Sequence, residues 1–234
     1  MLKLFEILTE GVYDPGIFKA VFTAGGPGSG KSYAASTLFG MPEKMPFVSA
    51  KGLKSVNSDK YFETYLNMSG LSQDISNMTP GEFERAMHLR KKSKRVRDAA
   101  LKNYINGRLG LLIDGTGKDY PKIAKQKTRL QKVGYDCFMI FVNTDLKVAL
   151  ERNKKRERTL PGKLVQDAWQ SVQNNLGKFQ GLFGTGNMII VDNSEFKDFP
   201  SIVKKGANEF ITRKIQNPIA KAWIKKELEL RKKK

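Results

Sequence analysis

The chain has 234 residues, 42 of them Lys or Arg against 23 Asp or Glu, giving a formal charge of +19 with 40% hydrophobic residues. That apolar content excludes whole-chain disorder and suits one compact domain better than two. The single Cys137 excludes an internal disulfide, and no apolar stretch approaches the roughly 18 to 20 residues of a spanning helix, so a reducing, cytoplasmic setting without membrane contact is expected.

The first residues, MLKLFEILTEG, place Leu2, Leu4, Phe5, Ile7 and Leu8 on a short helical pattern that lacks the long apolar centre of a secretory signal. Strand-length apolar runs follow at 20–24, 53–56, 109–113, 138–142 and 188–191. Between and after them lie helical patterns at 31–39, 80–105, 120–133, 146–157, 163–176 and 200–215. This alternation predicts an α/β fold with a parallel sheet of about five strands and helices on both faces. Thr79, Pro80 and Glu82 form a capping box with proline at the first helical position, and Asn217 with Pro218 starts a last helix. The expected organisation is an N-terminal helical segment over 1–17, a core over 18–198 with a helical lid near 152–165, and a basic helical extension over 199–234.

Residues 25–32 read GGPGSGKS and satisfy G-x-x-x-x-G-K-[ST] at Gly25, Gly30, Lys31 and Ser32. The run follows a strand pattern and opens a helical one, which is the context this phosphate-binding motif requires. Its glycines let successive backbone N–H groups face phosphate oxygens while the next helix offers its positive end. Gly25, Gly26, Pro27, Gly28, Ser29, Gly30, Lys31, Ser32 and Tyr33 are therefore candidate nucleotide contacts. In this motif Lys31 is expected to bridge the terminal phosphates of a nucleoside triphosphate and Ser32 to ligate its Mg2+.

After the second strand run, Asn57-Ser58-Asp59-Lys60-Tyr61 sets Asp59 at a strand's carboxyl end, where open parallel sheets bind ligands. A carboxylate there can take the proton of an attacking hydroxyl; the same residue also suits a helix N-cap. The third strand ends in Asp114-Gly115-Thr116-Gly117. Asp114 can hold Mg2+ or the acceptor, Thr116 can bind the acceptor, and an ordinary strand-ending turn is the alternative. The run from Arg152 through Arg156 to Arg158 reads either as a lid whose arginines meet transferring phosphate or as a solvated basic helix.

In this order, GGPGSGKS, NSDKY, IDGTG and RNKKRER resemble the P-loop kinases of the zeta toxin and polynucleotide 5′-hydroxyl kinase type, over about residues 18–195. The resemblance implies Asp59 as general base and Arg156 as lid arginine, with Arg152 and Arg158 as companions. Asp-Gly-Thr at 114–116 is closer to the zeta branch, whose triplet touches the acceptor. The Asn-x-Asp-x-Tyr and Arg-Asn-x-Lys-Arg stretches are closer to the polynucleotide kinases. Those kinases place an arginine three residues after the base; here that position is Phe62.

The implied activity is transfer of the ATP γ-phosphate to a hydroxyl of a nucleotide-sugar-like or nucleic-acid acceptor. Two rivals are a nucleic-acid-associated NTPase and a bacteriophage head protein with a vestigial phosphate loop. Against the NTPase, LLIDGTG has no acid following Asp114. The N-terminal Leu8-Thr9-Glu10-Gly11 resembles the cleaved targeting peptides of tailed-phage head proteins, which adds a virion head to the expected locations; a helix packed on the domain fits the same residues. Basic runs at 90–97, 152–158 and 221–234 hold most of the positive charge and are expected to bind nucleic acid without sequence preference. His88 is the only histidine and cannot make half of a metal site; Trp169 and Trp223 read as packing residues.

Overall fold

The computed structural model describes residues 12–42, 47–156, 159–195 and 198–232. The head-peptide resemblance at 1–10 and the lid residue Arg158 lie outside the described residues.

Five strands, β1 (Lys19–Ala24), β2 (Leu53–Val56), β3 (Gly110–Ile113), β4 (Asp136–Asn143) and β5 (Met188–Asp192), pair in the order β2-β3-β1-β4-β5. Every pairing is parallel. β1 thus lies between β3 and β4, and the chain leaves it at the point where the strand order reverses. Such a switch point opens a crevice at the strands' carboxyl ends.

The side chains of β1 alternate between two cores. Ala20, Phe22 and Ala24 enter one, joined by Phe18 just before the strand, while Val21 enters the other. On the Phe22 face lie α3 (Pro80–Asn106), α4 (Tyr120–Lys132), α6 (Gly162–Gln173), α7 (Leu176–Phe183) and α9 (Pro218–Lys232), through residues such as Leu101, Leu130, Val172, Phe179 and Trp223. On the Val21 face lie α1 (Lys31–Phe39) and α8 (Ser201–Thr212), with Phe39, Val203 and Phe210 buried. Phe138 of β4 stacks on Phe210 at 4.6 Å between ring centres. A third, smaller core holds α2 (Ser58–Met68) to α3 through Phe62, Leu66, Leu71 and Ala86. Between α4 and α6 the chain forms α5 (Leu146–Lys154).

Three segments differ from the sequence pattern. The apolar periodicity over 163–176 breaks at Asn174 and Asn175, so α6 and α7 are separate helices; Asn175 is buried and its amide donates to the carbonyls of Gly117 and Lys118 at 3.0 Å each. The segment expected as an extension contains α8, whose Val203, Ala207, Phe210 and Ile211 are part of the sheet's core. Only α9 lies at the periphery, with Trp223 edge-on to Phe18 at 5.5 Å. α2 is a helix with no counterpart among the sequence patterns, because its apolar stripe is limited to Phe62 and Leu66.

Three buried groups, Lys19, Asp136 and Cys137, mark the opposite end of the sheet. Lys19 is 2% exposed; burial, opposed by Asp136 and assisted by Arg213, lowers its pKa to about 8. The Asp136 carboxylate accepts the backbone N–H groups of Gln216 and Asn217, which ties the start of α9 to β4. Cys137 is a buried thiol, pushed up to about 12 by burial. Among the described residues no helix is long and apolar enough to cross a membrane.

Candidate active site

The loop between β1 and α1 is closed in by close backbone packing. Gly28 has φ +78°, and a Cβ there would stand 2.4 Å from the Ala149 carbonyl of α5. Gly30 has φ +89°, and its Cβ would meet the Asn193 amide at 2.1 Å. Only glycine satisfies both the left-handed backbone and the missing space. Asn193 and Thr144 donate to the Ser29 carbonyl at 2.8 and 3.1 Å, and the Thr116 carbonyl accepts from Gly25 N–H at 2.9 Å. Trp169 of α6 covers Gly26, its indole N–H donating to Thr144 at 2.7 Å.

What this loop offers is a phosphate cradle. No side chain caps α1, so the helix presents its N-terminal N–H groups with their partial positive charge. The Ser29 hydroxyl is buried in the loop with no partner among the described residues. The Lys31 ammonium folds back onto the Gly25 and Gly26 carbonyls at 2.7 and 3.1 Å. Burial pushes its pKa down, the nearby Asp114 and Asp59 pull it up, and Arg156 pushes it down again. Pro27 is half-buried at the loop crest and Ser32 is exposed to the crevice, whereas the Tyr33 ring turns away, 5.2 Å from Phe199.

Asp114, at the end of β3, is held from both sides. Its Oδ1 accepts the Thr23 hydroxyl at 2.7 Å and its Oδ2 accepts the Asn57 amide at 2.6 Å. Each oxygen keeps a second lone pair. Asn57 does double duty as the N-cap of α2, accepting the Asp59 backbone N–H at 2.7 Å. The cap that the sequence offered to Asp59 thus belongs to Asn57, and the Asp59 side chain is left to pair with Arg90 of α3. Arg90 lies over the Phe62 ring at 5.0 Å.

In the segment expected as a lid, Arg152 of α5 donates to the Asn193 carbonyl at 2.7 Å, next to the loop. Asn153, 3% exposed, bonds Leu160 in both directions, so the turn carrying Arg156 is closed at its base while Arg156 itself is exposed. On the other side of Asp114 and Thr116 lies a cavity of about 420 Å3. It is lined by apolar residues such as Phe22, Leu101 and Ile113 and by charged ones of both signs, among them Arg97, Asp98, Asp119 and Lys122.

Sequence reasoning missed Thr23, Asn57, Arg90 and Asn193 as parts of this site. Asn57 had a signal, since Asn-x-Asp before a helical stretch is N-cap chemistry. Arg90 had none beyond a charge run. Among the described residues no group of three or more His, Cys, Asp or Glu could hold a metal ion. Ser32 and Asp114 offer the hard oxygen donors that suit Mg2+ when a nucleotide supplies the rest.

The zeta toxin family model matches residues 14–201 of the chain. Solved structures are similar at low identity. AvrRxo1-ORF1:AvrRxo1-ORF2 complexes, one with sulphate ions and one with ATP, align at 14% identity with TM-scores of 0.56 and 0.55, covering 78% of this chain and 56% of that one. This chain therefore spans little more than half of that protein's length. A putative kinase from Chloroflexus aurantiacus aligns at 15% identity and TM-score 0.51, covering 80% and 95% of the two chains. The PezAT toxin-antitoxin system of Streptococcus pneumoniae aligns at 14% and 0.50, covering 82% and 85%. No curated protein matches the sequence. The structural likenesses carry the fold, a P-loop kinase fold.

Proposed function

Since the chain belongs to the zeta toxin family, we propose that it is an ATP-dependent phosphotransferase that moves the γ-phosphate to a hydroxyl of a nucleotide-sugar-like or nucleic-acid acceptor. The observation that carries this reading is the glycine loop opening an uncapped helix, with the Lys31 ammonium and the unpartnered Ser29 hydroxyl inside it, beside the Asp114 carboxylate that Thr23 and Asn57 hold. The ATP complex of a structural neighbour agrees with it.

Each residue has work that its position supports. Gly25 to Tyr33 wrap the phosphates with backbone N–H groups, and Lys31 exchanges the Gly25 and Gly26 carbonyls for β- and γ-phosphate oxygens. Ser32 and Asp114 would hold Mg2+, which when bound neutralises phosphate charge. Thr23 and Asn57 keep the Asp114 carboxylate in one orientation for that task. Asp59 accepts the acceptor's hydroxyl proton, and Arg152, Arg156 and Arg158 bring cationic forks to the transferring group. The cavity lined by Asp114 and Thr116 is the space the acceptor body would take.

The test is product analysis with γ-labelled ATP and a panel of hydroxyl acceptors. Label on an acceptor supports a kinase; free phosphate alone supports an NTPase; no turnover with any acceptor favours a vestigial loop.

A further inference from the structure

Asn57 is the one residue between the end of β2 and the start of α2. Parallel pairing sets both Val56 of β2 and Phe22 of β1 against Ile113 of β3. The next residues along, Asn57, Asp114 and Thr23, therefore form a row across three strand ends. The outer two clamp the middle one: Thr23 donates to Asp114 Oδ1 at 2.7 Å and Asn57 to Oδ2 at 2.6 Å. The oxygen of the same Asn57 amide accepts the Asp59 backbone N–H at 2.7 Å, as the N-cap of α2. One planar group thus joins the carboxylate of β3 to the first turn of the helix that carries Asp59.

An ionised carboxylate only accepts and a backbone N–H only donates, so the side chain between them needs a donor and an acceptor in one rigid plane. Asparagine has both at this reach. Serine would keep the cap on a shorter stem, and aspartate would keep it while setting oxygen against oxygen at Asp114. Thr23 holds the same carboxylate from β1, on the side of β3 away from β2 and α2. A change in the load on Asp114 therefore reaches α2 through Asn57 and not through Thr23. We propose that Asn57 is a positioning residue that couples the two sides of the crevice: a metal–nucleotide complex taken up at Asp114 orders the first turn of α2 and so sets Asp59. This rests on the kinase reading for the tasks of Asp114 and Asp59. The coupling runs both ways, so an acceptor that fixes Asp59 tightens the metal–nucleotide complex through the same amide.

The experiment is NMR-detected amide hydrogen exchange of the full chain with Mg2+·ADP as the probe, for the wild type, Asn57→Ser and Thr23→Val, with steady-state turnover as a second arm. In the wild type Mg2+·ADP should slow exchange of the Asp59 amide about tenfold or more, the scale of one hydrogen bond to a charged group. Asn57→Ser retains a good N-cap, so its melting temperature should stay that of the wild type while the slowing is lost. Thr23→Val should weaken Mg2+·ADP binding about 3- to 10-fold yet keep the slowing at saturating nucleotide. In turnover, Asn57→Ser should lower kcat about 10- to 100-fold while the KM for ATP changes less than about threefold, because Thr23 still holds Asp114. A cap that only stabilises the helix would move neither the exchange response nor this split. No slowing in the wild type, slowing that persists in Asn57→Ser or vanishes in saturated Thr23→Val, or a kcat that Asn57→Ser leaves unchanged beside an active wild type would each overturn the proposal. The exchange arm needs no phosphotransfer. A wild type that keeps the slowing and the variant pattern but transfers no phosphate would strike the kinase reading and leave the coupling standing.

Discussion

The two halves of the crevice are built on different principles. On the side of the phosphate loop the surface is backbone: Gly28 and Gly30 are pressed against α5 and Asn193 with no room for a Cβ. On the other side stand side chains carried by two helices, Asp59 on α2 and Arg90 on α3, held together by a small core of their own. A backbone cradle of this kind suits a group that never varies, such as a polyphosphate, and tolerates little substitution. A side-chain surface on a separately packed helix pair can change its substrate without disturbing the sheet.

The comparison is broken most severely at the loop. Gly28→Val places a Cβ within 2.4 Å of the Ala149 carbonyl at a left-handed backbone position. It should abolish ATP binding, measured by titration of a fluorescent ATP analogue. Lys31→Ala should lower both ATP affinity and turnover, because its ammonium serves the phosphates in the ground state and in the transition state. A variant with intact ATP affinity would contradict that role.

On the acceptor side the effects should separate. Asp59→Asn should reduce turnover by about 10²- to 10⁴-fold, the usual contribution of a general base, while ATP affinity changes less than about twofold. Arg156→Ala should lower turnover by about 10²-fold or more with the melting temperature unchanged, since the residue is exposed and surface cations contribute little to folding. A melting shift large enough to account for the lost activity would make Arg156 a structural residue.

The same division explains what could be read in the sequence. The phosphate loop is contiguous, and strand, glycines, Lys31, Ser32 and helix stand in one register, so the motif and the five-stranded parallel sheet around it were legible. Asp114 was legible for the same reason, at the end of a nearly continuous apolar strand. Arg90 was not, because it lies 31 residues from Asp59 and its run of cations looks like any solvated helix face until α3 packs on α2. The membership of α8 in the core was hidden as well: its buried Val203, Ala207, Phe210 and Ile211 follow a helical stripe that is equally compatible with a peripheral helix.

Smaller effects sharpen the contrast away from the site. Replacing the exposed Lys91, Lys92, Lys94 and Arg95 with glutamine should shallow the salt dependence of non-specific DNA or RNA binding by up to about four counterions, with phosphotransfer retained. Substitution is preferable to truncating α9, since Trp223 packs on Phe18. A salt slope equal to that of the wild type would move nucleic-acid binding to another surface. At the far end of the sheet, the buried Lys19 has a pKa of about 8 in the fold against 10.5 ordinarily, so between these values the unfolded chain binds more protons than the native one. Stability of the wild type relative to Lys19→Met should therefore rise as pH increases from about 8 toward 10.5, measured by urea unfolding. A difference that stays flat or falls over that window would contradict the assignment.

The most direct test of the central claim is the fate of the γ-phosphate in wild type and Asp59→Asn, followed with labelled ATP in the presence of hydroxyl acceptors. The account predicts label on an acceptor with the wild type and its loss, at undiminished ATP binding, with Asp59→Asn. Label released only as free phosphate, or transfer that survives in Asp59→Asn, would contradict it.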